Sequence, residues 1–136
     1  MKGSFKLGKI ADIGIFIHWT FSLLILFIVF INYRSGQNAT QILWSVFFVL
    51  SIFITVVMHE LGHALAAKRY NIITKDITLL PIGGIARLEK IPEKPIEELI
   101  VAIAGPLVNI VLAVITGIFI TIPATSEQLM AQLANG

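Results

Sequence analysis

The residues able to do chemistry are concentrated in one pentapeptide, His59-Glu60-Leu61-Gly62-His63. On a helix, positions four apart share a face, so both imidazoles can approach one metal ion. Glu60 flanks that ion and can act as general base toward a metal-activated water. Zinc is the default ion for two imidazoles with a position left open for substrate. At this chain's own His and Glu frequencies, HExxH would arise by chance in only about 0.3% of such sequences. Its setting adds weight, because the chain is uncharged from Ile42 to Met58 and apolar again at Leu65-Ala66-Ala67. Ionisable groups inside an apolar helix are costly, and function is their default explanation. The bland alternative ends the helix near Met58 and makes HELGH an interfacial cap; the apolar residues that continue to Lys68-Arg69 speak against it.

The elements that must hold this motif are those of a membrane protein. Of 136 residues, 57% are apolar and 13% charged, about half the usual charged fraction of roughly 25%. A chain this short cannot hide so much apolar surface in one core. That excludes an ordinary cytosolic protein, a nucleic-acid binder and a disordered tail. With no cysteine, neither a disulfide framework nor a thiol nucleophile is available.

Three long apolar runs follow one another, Ile13–Ile31, Ile42–Ala67 and Leu99–Ile122. Each fits the ~20 helical residues that cross a bilayer core. The first exceeds a signal-peptide core and has no small-residue cleavage site after it. Between the second and third lie β-branched stretches and a Pro81-Ile82-Gly83-Gly84 turn, a strand pattern over about 72–90. The expectation is an all-α multi-pass membrane protein forming a single membrane domain over 1–136. Its three transmembrane helices lie at about 13–31, 42–67 and 99–122, with a short membrane-associated strand region between the last two and a loop over 125–136. Nine of the ten basic residues fall before the first run or in the 68–98 loop, and only Arg34 falls elsewhere. Such asymmetry places the N-terminus and the 68–98 loop in the cytoplasm.

The third run carries its own polar residue, Asn109, after Gly105-Pro106-Leu107-Val108. His59 lies nine residues before Lys68 and Asn109 ten after Leu99, so both sit about 13–15 Å deep on antiparallel neighbours. Pro106 removes a backbone bond and Gly105 permits close approach. Asn109 alone reads as an interhelical hydrogen bond; opposite HExxH, it reads as lining a catalytic cavity.

In order and spacing, HELGH, Pro81-Ile82-Gly83-Gly84 and Gly105-Pro106-Leu107-Val108-Asn109 resemble the site-2 protease family of intramembrane zinc metalloproteases. The resemblance spans about Ile10–Ile122. It implies peptide-bond hydrolysis of a transmembrane protein substrate within the bilayer, in regulated intramembrane proteolysis. His59 and His63 would bind zinc, Glu60 would activate water, and Asn109 would position substrate or stabilise the oxyanion. An unwound substrate would add as a strand near Gly83 and Gly84.

The family completes its metal site with an aspartate from a further helix, in an Asp-Gly context. The only aspartates here are Asp12 and Asp76, and neither precedes glycine. The chain is therefore expected to be the N-terminal part of a longer protease, inactive by itself. Asp76, or a residue of a second protomer, could instead complete the site. The runner-up function is an inactive membrane relative that binds substrates or regulates; the intact HExxH disfavours it. The unrelated membrane HExxH class needs a glutamate in the next helix, and Leu99–Ile122 has none. His18-Trp19 reads as an interfacial pair, with His18 less often a transient ligand. Arg87, Lys90 and Lys94 read as topological and anionic-lipid contacts. The sequence leaves oligomeric state open.

Overall fold

Apolar content alone does not separate a membrane helix from a buried strand, and the first apolar run is divided between the two. In a computed structural model, which describes residues 3–136, Ser4–Ile10 forms strand β1 and Ile13–His18 strand β2. Lys2, counted above among the basic residues, lies outside the described residues. Ala11 and Asp12 have φ of 52° and 63°, the paired left-handed residues that match a two-residue turn to strand twist. Only the second half of the run is helical, as α1 (Thr20–Arg34, 15 residues). At 1.5 Å per residue α1 is about 22 Å long, short of a ~30 Å hydrocarbon core.

The expectation of an all-α fold with three transmembrane helices is thus overturned. Among the described residues there are three helices and a four-stranded mixed sheet, and two of the helices are long and apolar enough to cross a membrane. Isoleucines 13, 15 and 17 alternate with Gly14 and Phe16, a β-branched pattern that suits a strand buried in a sheet.

Helix α2 (Ala39–Lys68) opens on a reciprocal cap, in which Gln41 N donates to Asn38 Oδ1 (2.9 Å) and Asn38 N to Gln41 Oε1 (3.0 Å). Strands β3 (Thr74–Leu80) and β4 (Gly83–Leu88) follow. Helix α3 (Pro95–Asn135) begins on a proline, where the missing N–H does no harm. It runs through the stretch expected to be a loop, 125–136. One proline at 123 removes a single backbone bond, and Glu127, Leu129, Met130, Ala131 and Leu133 are strong helix formers.

The sheet order is β1-β2-β3-β4, with β2 and β3 parallel and both outer pairs antiparallel. The N-terminal strands and the 74–88 segment are therefore one unit. Against it packs the HExxH half of α2: Ala64, Val57 and Leu61 meet Ile13, Ile15 and Ile77. One turn further toward the N-terminus of α2, Phe53 stacks edge-on against Phe21 of α1, with ring centroids 4.6 Å apart. Ala67 and Ile72 pack on Val101 of α3. Ile72 and Ile77 are fully buried, each contributing about 1.5–3 kcal/mol. Elsewhere the long helices expose large apolar side chains, among them Trp44, Phe47, Phe48, Ile110 and Phe119.

Asp76, buried in β3, pairs across the sheet with Arg87 of β4; Arg87 Nε donates to Asp76 Oδ1 at 2.8 Å and Nη2 to Oδ2. The guanidinium beside it holds the Asp76 carboxyl below the usual carboxylate range. Arg87, read from sequence as a lipid contact, is thus a sheet residue.

Candidate metal centre

Two faces of α2 are used at the HExxH turns. Val57, Leu61 and Ala64 anchor one to the sheet, which fixes the other against α3. The approach to α3 is close because Gly62 has no side chain. A Cβ there would lie 2.8 Å from the Ala104 carbonyl oxygen and 2.7 Å from Val108 Cγ2. Gly105, buried on α3, does the same from the other side. A Cβ on it would lie 2.8 Å from His59 Nε2 and still closer to the His63 imidazole. Small residues at both points let the backbones approach.

In that space His59 and His63 converge. Their Nε2 atoms are 3.0 Å apart, and the rings meet edge-on at 82° with centroids 4.7 Å apart. Two nitrogens on a tetrahedral zinc at ~2.0–2.1 Å would be about 3.3–3.4 Å apart, so a small adjustment brings the pair to coordination distance. Lacking a side chain, Gly105 lets both imidazoles lie directly against α3. Both rings are held from behind by α3. His63 Nδ1 lies 2.6 Å from the Val101 carbonyl oxygen, and His59 Nδ1 lies 2.9 Å from Nδ2 of Asn109. Val101 is one turn before Pro106, whose missing N–H leaves Ala102 without its helical donor.

Asn109, exposed, also lines an open cavity of about 250 Å³ with Thr55, Val56 and His59. Glu60 is half-buried, and its Cγ lies 3.4 Å from where a Gly84 Cβ would be. Gly84 thereby lets β4, an edge of the sheet, pass close to Glu60 and Val56. Gly83, with φ of 141°, follows the Pro81-Ile82 turn in a conformation that favours glycine.

The structure thus brings together His59, His63 and Asn109, with Glu60 beside Gly84. Among the described residues, no group of three or more His, Cys, Asp or Glu side chains is placed to hold a metal ion. Asp76 is engaged by Arg87, Asp12 sits in the β1–β2 turn, and His18 Nδ1 lies 2.6 Å from Thr20 Oγ1. The contribution missed in the sequence is the Val101 carbonyl. Gly62 could have been found as a small residue at the same depth as Gly105 on the neighbouring helix.

Residues 47–134 match the model of peptidase family M50. The chain is 45% identical over 115 residues to "Zinc metalloprotease MJ0392" of Methanocaldococcus jannaschii, covering 85% of this chain and 32% of that one. It is 33% identical over 143 residues to "Putative zinc metalloprotease sll0528" of Synechocystis, covering 98% and 38%. Among solved structures it is similar to the site-2 protease from Methanocaldococcus jannaschii, with TM-score 0.64 and 39% identity over 85% of this chain and 50% of that one. The chain spans about a third of the length of these curated relatives. With HExxH and Asn109 both inside the matched region, the chain belongs to peptidase family M50, and it is a membrane protein.

Proposed function

We propose that this chain carries the two-histidine half and the general base of an intramembrane zinc metalloprotease of the site-2 type. The observation that carries the reading is the 3.0 Å approach of the two Nε2 atoms where both rings lie against Gly105. His59 and His63 would hold the ion, and a further ligand comes from outside the described residues. Bound zinc supplies Lewis-acid polarisation of the scissile carbonyl and acidifies the attacking water.

The rest belongs to the chain. Glu60 takes the proton of the attacking water and returns it to the leaving amine, keeping the reaction charge-balanced. Asn109 faces the same cavity as His59 and would receive the substrate carbonyl. The substrate is a transmembrane segment, which must be unwound before its backbone can be attacked. It adds as a strand along β4 near Gly83 and Gly84, where sheet bonding satisfies backbone groups that lipid cannot. The protein crosses the cell membrane several times. The sheet and the basic residues around it (Lys6, Lys9, Lys68, Arg69, Lys75, Arg87, Lys90 and Lys94) face the cytoplasm, and water reaches the site from there. The test is Glu60→Gln in the polypeptide that carries the complete ligand set: zinc is retained and cleavage is lost.

A further inference from the structure

A bulge gives the edge strand β1 two chemically different faces. Lys6 pairs with Phe16 and Gly8 with Ile15, which leaves Leu7 as the extra residue. Beyond it Lys9 meets Gly14 and Ile10 meets Ile13. Residues opposite one another in a sheet share a face. Phe5 and Ile10 therefore lie with Ile17 and Ile13 on the side that packs on α2, and Lys6 and Lys9 lie together on the other. Strict alternation along β1 would have put Lys9 among the isoleucines.

On the apolar side, β1 and α2 border an open groove of about 590 Å³, lined by Leu7 and Ile10 and by Leu50, Ile54, Met58 and Leu61. Every residue around it is apolar, and Leu7, Ile10 and Ile54 are more than half exposed. From Leu50 to Leu61 the groove follows α2 for about 16 Å. That is the depth of one leaflet, half of a ~30 Å hydrocarbon core, and α2 is long enough to cross that core. At the other end Ile13 packs on Ala64, one turn before α2 stops at Lys68. Lys9, beside Gly14, lies at that end, and Lys6 two pairs further along. Among the described residues neither lysine is in an ion pair. Both stand on an edge strand, and their long stems can carry the ammonium groups past its free side.

We propose that this groove holds one acyl chain of an anionic phospholipid whose phosphate is bound by Lys9 and Lys6. The apolar lining selects a chain over water or free phosphate, and the lysine pair selects an anionic headgroup over a zwitterionic one. None of the metal-binding side chains takes part.

The test is titration of phospholipid onto the polypeptide that carries the complete ligand set, in neutral detergent, read by native mass spectrometry. Phosphatidylglycerol should bind more tightly than phosphatidylcholine with the same acyl chains. Lys9→Gln should weaken phosphatidylglycerol about fivefold, and Lys6→Gln combined with Lys9→Gln about 25-fold, with phosphatidylcholine unchanged. Ile54→Trp, which fills the groove, should weaken both lipids; Val114→Trp, on an exposed face of α3, should weaken neither. Equal affinity for the two lipids, a phosphatidylglycerol preference that survives the double substitution, or indifference to Ile54→Trp would overturn the site. A groove already filled by a second copy or by another part of the polypeptide gives that last result. Zinc and cleavage are not measured, so failure here leaves the metal reading standing.

Discussion

Replacing Gly105 by alanine tests whether the two histidines that lie against it form a metal site. In most helix interiors Gly→Ala stabilises by about 0.5–1 kcal/mol, so fold stability gives no reason to expect harm. Gly117, also in α3 and with nothing within 4 Å of its would-be Cβ, supplies that benign control. At Gly105 the new methyl would sit 2.8 Å from His59 Nε2, against at least 3.4 Å for ordinary contact. The ring must retreat by about 0.6 Å, and that of His63 by more, whereas metal–ligand distances tolerate only about ±0.2 Å. At least one imidazole is lost as a ligand, and zinc affinity should fall by about 10²-fold or more, roughly 2.7 kcal/mol. The assay is competitive zinc titration, in detergent, of Gly105→Ala and Gly117→Ala in the polypeptide that carries the complete ligand set, with helix content followed by circular dichroism. Unchanged zinc affinity in Gly105→Ala, with helix content equal to the control, would refute the placement of the ion.

Two further outcomes follow from the packing. Gly62→Ala should destabilise the α2–α3 pair by about 1–3 kcal/mol in denaturant titration, because the Ala104 carbonyl it would strike is backbone and cannot swing aside. The Asp76 carboxyl is held below its ordinary value of 3.8 by Arg87. Its contribution to stability is therefore fully present above that value and is lost as pH falls through the lowered one. Asp76→Asn should flatten the acid limb of a stability-against-pH curve while leaving its slope near neutral pH unchanged; an identical acid limb in both proteins would sink the assignment.

The site was more legible in the sequence than the fold, for identifiable reasons. HExxH encodes its own geometry, since residues four apart on any helix share a face. Asn109 could be matched to His59 by counting residues from the two interfaces, and the two side chains do meet. By contrast, Ile13–His18 and most of Thr20–Arg34 lie in one uncharged apolar run, Ile13–Ile31, and hydropathy has no term for the change from strand to helix within it. Whether Ile13–Ile17 is a strand depends on β3, some sixty residues away, offering its edge. The Asp76–Arg87 pair likewise needs the β3–β4 register, which a list of charges does not contain. The hold of Val101 on His63 is made by a carbonyl every residue has, so residue identity carried no trace of it.

The central claim, that Glu60 moves the proton while His59 and His63 hold the ion, is tested most directly by assaying Glu60→Gln for zinc content and for cleavage of a transmembrane substrate in the same sample. Zinc should stay at the unsubstituted level while cleavage falls by about 10²–10⁴-fold or more. A Glu60→Gln protein that keeps its zinc and still cleaves at the unsubstituted rate would contradict the account.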